Sequence, residues 1–255
     1  MTTFFSDWYF LSIRSIKQIW RPALALLPSL FIPIFFFLVN SASLSSFSRV
    51  PGFPENVSYR DFIAPIALFT AVFFSAGNAG IELVQDMASG YFKKLMIMPI
   101  NRLAILFGRL AEVAVQAFFQ GLLVLILLLI VGVRIQTGIL GVILIFALLI
   151  IFAMGWSCVS MIFALRTQNV RLVQSLFIIV FPFLYLTTSQ APMKLLPKTF
   201  QVLATYNPVT YIVEGTRSLV LRGEGRAVAI GFSVAIGLFV ILVALALGSF
   251  RKAVK

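Results

Sequence analysis

Residues 138–165 read GILGVILIFALLIIFAMGWSCVSMIFAL, twenty-eight consecutive positions without one charged side chain. A helix rises about 1.5 Å per residue, so about 20 apolar residues cross the hydrocarbon core of a bilayer. This run is long enough alone. Working outward, comparable runs occupy 22–40, 62–84, 103–133, 172–188 and 227–249, which gives six candidate spans. Pro28 and Pro33 in the first and Pro182 in the fifth predict kinks, which membrane helix bundles tolerate. The predicted fold is therefore an all-α membrane protein with six transmembrane helices in a single domain, 1–255.

Composition agrees. Hydrophobic residues form 61% of the chain and charged residues 11%, against roughly 45–50% and 25% in soluble proteins. No stretch is polar enough to fold as a separate aqueous domain. The net charge of +12 does not point to nucleic acid, because the basic residues are scattered at the ends of apolar runs. Histidine is absent and Cys158 is the only cysteine, which excludes disulfides and histidine–cysteine metal sites. With so few carboxylates and no histidine, a convergent catalytic set is not expected either.

Residues 4–21 have the spacing of an amphipathic helix, with Phe5, Tyr9, Ile13, Ile16 and Trp20 on one side. Such a helix would lie in the membrane interface or extend the first span into the cytosol. Six spans put both termini on one face. Placing that face in the cytoplasm leaves 12 of the 20 basic residues inside, a weak bias towards cytoplasmic N- and C-termini.

Segment 189–226 is too polar to span and too apolar for a plain loop. A short helix is expected near Pro197–Leu203. Asn207-Pro208 then begins a second, with asparagine as cap and proline at the first helical position. Tyr211 lies on that second helix, and Glu214 and Arg217 stand one turn apart on it. The segment reads as an outer, re-entrant helical hairpin.

Polar residues enter two spans at intervals of four: Asn78, Glu82 and Asp86, then Glu112, Gln116 and Gln120. Both groups should face the bundle interior, either gating a substrate path or hydrogen-bonding between helices. Phe31, Phe35, Phe69, Phe73, Phe177 and Phe181 offer apolar surface for an amphiphilic cargo.

Two motifs carry a family resemblance. The loop 86–102 and the start of the third span contain Asp86, Gly90, Lys93, Lys94, Leu95, Pro99, Arg102, Gly108 and Arg109. Before the last span stand Asn207, Pro208, Thr210, Tyr211, Glu214 and Arg217. Both resemble signatures of the permeases of type-2 ATP-binding-cassette (ABC) exporters, in particular the daunorubicin-resistance-like branch.

The resemblance implies a permease in the bacterial cytoplasmic (inner) membrane that pairs with a second copy or a close paralogue. It implies docking on two copies of a separate ABC ATPase, which would carry ATP and Mg²⁺. The permease itself would hold no cofactor or metal and would bind membrane lipid but no nucleic acid. The 86–102 loop would contain a cytoplasmic coupling helix, and Tyr91, Phe92, Leu95 and Met96 would insert into a cleft of the ATPase. On the residues alone, the same loop is equally an interfacial connector whose lysines meet anionic headgroups.

The chain contains no Gly-x-x-x-x-Gly-Lys-Ser/Thr phosphate loop, so an energy source would come from a partner. The implied activity is export of a hydrophobic or amphiphilic cargo, whether a drug, a lipid-linked molecule or a glycan. The alternatives are an ATP-independent secondary transporter, whose buried midplane ionisable site is not evident here, and a non-transporting membrane scaffold.

Overall fold

The computed structural model describes residues 4–19, 27–98, 100, 102–221 and 223–253. They form ten α-helices and two short 3₁₀ turns, with no strand among the described residues. The helices are α1 Phe4–Ile19, α2 Leu27–Ser43, α3 Tyr59–Ala88, α4 Tyr91–Ile97, α5 Arg102–Ile130, α6 Gly138–Thr167, α7 Val170–Tyr185, α8 Lys198–Tyr206, α9 Pro208–Leu221 and α10 Gly225–Ala253.

Four of them, α3, α5, α6 and α10, are long and apolar enough to cross a membrane; α2 and α7 are apolar but shorter, at 17 and 16 residues. At about 1.5 Å per residue α7 reaches roughly 24 Å and the described part of α2 roughly 26 Å, against a roughly 30 Å hydrocarbon core. Pro33 and Pro182 sit inside these short helices.

Local chemistry sets the ends. Ser58 caps α3, its hydroxyl accepting the Asp61 backbone N–H (3.1 Å) and donating to the Asp61 carboxylate (2.7 Å). Asp61 also places a negative charge in the first turn, where the helix dipole favours one. α6 stops at Gln168, which turns left-handed (φ 49°), and Asn169 at once caps α7 through the Arg171 N–H at 2.9 Å. Gly90, at φ 73°, makes the left-handed turn between α3 and α4. Met98, which precedes Pro99 in the sequence, is extended (φ −77°, ψ 149°), so α4 is only two turns long.

α3 is the axis of the bundle. Of its most apolar stretch 83% is buried, against 17% for α10. It packs on α2, α5, α6, α7 and α9, while α10 covers α6 and α9 and α1 lies along α5. Without a hydrophobic drive between helices in lipid, close packing of small residues does the holding. Ser160 of α6 donates to the Gly77 carbonyl at 2.6 Å, and a Cβ on Gly80 would stand 2.5 Å from the Ser160 carbonyl oxygen. A tilted Phe69–Phe152 pair (4.3 Å) and a stacked Phe73–Trp156 pair (4.7 Å) flank this seam. Gly80→Ala is expected to force α3 and α6 apart and to destabilise by about 1–3 kcal/mol, whereas Gly237→Ala on α10, with open space around it, should not. Thermal unfolding of both variants in detergent checks the contrast.

The sealed seam corrects one expectation. Phe69 and Phe73 are fully enclosed between α3 and α6 and offer no surface to a cargo; Phe31 and Phe35 do remain exposed.

Candidate functional site

One end of α3 carries the polar group Asn78, Glu82 and Asp86, one residue per turn. The first turns of α5 bring Arg109 and Glu112 against it. Arg109 is buried and its guanidinium gathers three carboxylates: Nη1 donates to Glu112 (2.8 Å) and to Glu82 (3.2 Å), and Nη2 donates to Asp86. A buried guanidinium needs such partners, because an uncompensated charge out of water costs several kcal/mol. The fork of Arg109 reaches three carboxylates in fixed directions, which a lysine ammonium cannot do.

α1 closes this cluster. It lays Trp8, Leu11, Ser12 and Ser15 on α5: the Trp8 indole donates to the Phe107 carbonyl at 3.2 Å, and Leu11 lies over Gly108, where a Cβ would come within 3.1 Å. Buried Ser12 satisfies itself by donating to the Trp8 carbonyl at 2.7 Å, and Ser15 hydrogen-bonds Glu112. Tyr9 and Phe10 stay exposed on the other side. Arg14 then reaches Asp86 (3.7 Å) and stacks over the Tyr91 ring, its guanidinium carbon 3.4 Å from the centroid. Burial raises the Tyr91 phenol above its ordinary pKa, with the Arg14 charge opposing. Helices α1, α3, α4 and α5 therefore meet at one knot of charge.

Several loop residues fall elsewhere than expected. Phe92 and Leu95 do not face outward: both are buried in the chain's own core, with Phe92 beside Phe250. A helix of two turns attached directly to α3 has one apolar side, and the nearest apolar surface is the end of the bundle. The outward side consists of Lys93, Lys94, Ile97 (85% exposed) and Met98. Gly108 and Arg109 are likewise covered by this chain's α1 and have no open face. Arg102 starts α5, but its side chain, like that of Met96, lies outside the described set, and Pro99 lies outside the described residues altogether.

Asn78 is half-buried and Gln116 and Gln120 are buried, so the second polar stripe runs inside the bundle as the spacing requires.

The far end of α3 carries the other motif. Asn207 caps α9: its side-chain oxygen accepts the Val209 N–H (3.0 Å), and its amide nitrogen donates to the Phe183 (2.8 Å) and Leu186 (3.1 Å) carbonyls, tying the turn to the end of α7. Pro208 is the first residue of α9, and the Tyr211 hydroxyl donates to the Thr205 carbonyl at 2.8 Å, holding α8 against α9.

Buried Arg217 donates through Nε to the Phe62 carbonyl (3.0 Å), through Nη2 to the Thr188 carbonyl (2.7 Å) and through Nη1 to Glu214 (2.5 Å), with its guanidinium 3.8 Å over the Phe62 ring. Burial lowers the Arg217 pKa, and the Glu214 charge opposes that shift. Thr188 donates to the same Glu214 oxygen. Sequence spacing identifies the Glu214–Arg217 pair, but not Thr188, which is adjacent only through the fold.

Comparison with known proteins places these motifs in context. Residues 6–221 match the ABC-2 type transporter family. The chain is similar to the transport permease ycf38 of Cyanophora paradoxa (25% identical, covering 86% of this chain and 76% of the relative) and of Porphyra purpurea (28%, covering 80% and 70%). It is also similar to the doxorubicin resistance ABC transporter permease protein DrrC of Mycobacterium tuberculosis (21%, covering 84% and 76%). The family match takes in both the α3–α5 charge cluster and the α8–α9 hairpin, and this multi-pass membrane protein belongs to the ABC-2 type transporter permeases.

Proposed function

We propose that the chain is the membrane-spanning subunit of an ATP-driven exporter. In this reading α2 and α7 also cross the bilayer, which makes six crossings in one domain. Both termini lie in the cytoplasm of a bacterium, and the α8–α9 hairpin sits at the outer face. Two permease copies, or one with a close paralogue, stand on two ABC ATPase subunits that bind ATP and Mg²⁺. The cargo is hydrophobic or amphiphilic. Similarity to a doxorubicin resistance permease supports a drug-like molecule.

The observation that carries the reading is the face of α4. Lys93, Lys94, Ile97 and Met98 form a small patch of apolar and positive groups turned away from the bundle, on a helix whose opposite side is locked to the chain's core. An ATPase cleft with acidic walls would take this face. Motion of the ATPases would be handed on through Tyr91, Arg14 and Asp86 to Arg109, and so to α1, α3 and α5 together. The buried stripe of Glu112, Gln116 and Gln120, with Asn78 and Glu82, then acts as the inner gate of the cargo path.

The test is a triple change on the exposed face, Lys93→Glu, Lys94→Glu and Ile97→Glu, in permease co-expressed with the ABC ATPase that copurifies with the unaltered chain. Because these side chains are exposed, the permease should fold and purify as before. Retention of the ATPase on the purified permease should fall at least about ten-fold, as expected when a charge-complementary contact is reversed. Undiminished retention and undiminished ATP-dependent transport would rule out this docking face.

A further inference from the structure

Between α2, α3 and α5 lies a cavity of about 60 Å³, bordered among others by Phe37 and Leu38 of α2, Ala67 of α3, and Val124, Leu127 and Val131 of α5. Every side chain that lines it is apolar. A buried water needs several polar groups around it, so water has no partner here.

A second gap, between α2, α3 and α7, makes the contrast. It shares Phe37 and Ala67 with the first but adds Asn40, Thr70 and Gln190, and at about 20 Å³ it is the size of a water. Phe37 therefore rests on Ala67 with unfilled space to either side, polar on one and wholly apolar on the other.

The apolar cavity lies at hydrocarbon depth. Ala67 is eight residues from the start of α3 at Tyr59, roughly 12 Å along the axis, and fifteen from Glu82, roughly 22 Å. Leu38 (44% exposed) and Leu127 (37%) stand at its edge, so it opens sideways from the bundle, where the solvent is lipid chains. Left unfilled, it would strip dispersion partners from the atoms around it.

We propose that this cavity is a binding site for the end of one acyl chain of a membrane lipid, held between α2 and α5. An apolar cavity of about 150 Å³ takes a benzene ring, so this smaller one takes roughly the last two or three carbons of a chain. The chain end fills the seam that α2 and α5 leave open, and lipid thereby holds α2 on the bundle. The site requires only that the protein crosses a membrane and does not rest on the export reading.

The test places the intact permease in nanodiscs of phosphatidylcholine doped with one of two photoreactive phosphatidylcholines, carrying a diazirine at the end of an acyl chain or on the headgroup. Peptide mass spectrometry locates the adducts. The chain-end probe should label residues 34–38 or 124–131 at least about three-fold more than Val240, Ile241 and Leu245 of α10, although those three are more exposed. The headgroup probe should show no such preference. Ala67→Val, which narrows the cavity from α3, and Val131→Leu, which narrows it from α5, should each reduce labelling of α2 and α5 at least about three-fold and leave that of α10 unchanged. The unfolding midpoint in neutral detergent should not fall in either variant, since the added carbons enter open space.

Labelling of α2 and α5 no higher than that of α10, the same preference from the headgroup probe, or undiminished labelling in both variants would overturn the site. A lowered midpoint in both variants would mean that there is no room to fill, and would overturn it as well.

Discussion

Replacing Arg109 with methionine is expected to lower the stability of the permease by about 3–5 kcal/mol, the cost of taking one partner from a buried ion pair. Three carboxylates converge on this guanidinium: Glu112, Glu82 and Asp86. Without it, Glu112 stays buried beside two other negative groups, and Arg14 reaches only Asp86. The effect should appear as a large drop in the thermal unfolding midpoint in detergent and as earlier proteolysis of α1, which lies over the cluster.

Arg109→Lys should recover only a minor part of the loss, since one ammonium cannot bridge three carboxylates in different directions. The triple variant Arg109→Met, Glu82→Gln, Glu112→Gln should recover most of it by removing the stranded charges along with their partner. An unchanged midpoint in Arg109→Met would show that the cluster does not hold these four helices together.

Arg217→Met should loosen the opposite end of the molecule. Its side chain is the link between α9, the Phe62 carbonyl of α3 and the Thr188 carbonyl beyond α7. Removal takes a donor from the Phe62 carbonyl and from the Thr188 carbonyl, each worth about 1–3 kcal/mol when a buried acceptor is stranded. The expected loss is therefore about 3–5 kcal/mol, with proteolytic cleavage appearing first between residues 193 and 206.

Glu214→Gln should cost much less, because Arg217 keeps both carbonyls and the Phe62 ring. Added salt should change the Arg217→Met result little, since the two carbonyl contacts it removes are buried and neutral. Equal sensitivity of the two variants would mean that the ion pair, and not the carbonyl contacts, secures the hairpin.

Much of the helix pattern is readable from the chain. The apolar runs at 103–133, 138–165 and 227–249 correspond to α5 Arg102–Ile130, α6 Gly138–Thr167 and α10 Gly225–Ala253. The run 62–84 understates α3, which extends to Tyr59–Ala88 because Ser58 and Asp61 cap one end and Asp86 finds Arg109 at the other. Asn207-Pro208 marks the start of α9 because capping is local chemistry.

The cluster is less readable. The four-residue spacing places Glu82 and Asp86 on one face and Glu112 and Gln116 on another, but nothing in the spacing says which helices touch. Its local signal is the Arg109–Glu112 pair at i, i+3 near the start of the third span. The part of Arg14 depends on α1 folding over α5, set by a glycine at position 108 rather than by any charge pattern. For Phe92 and Leu95 the apolar side of α4 is evident, but an apolar side fits the chain's own core as well as a partner's cleft. The core, being covalently nearby, takes it.

The contact at Gly80 has a mechanical consequence. Where a serine carbonyl of one helix rests against the bare backbone of another, sliding by a fraction of an ångström meets hard atoms, and a close-packed interior has no free volume to absorb the shift. α3 and α6 therefore travel as one beam. Any change of shape in this bundle must be taken up along other seams, so an applied push turns the beam instead of bending it.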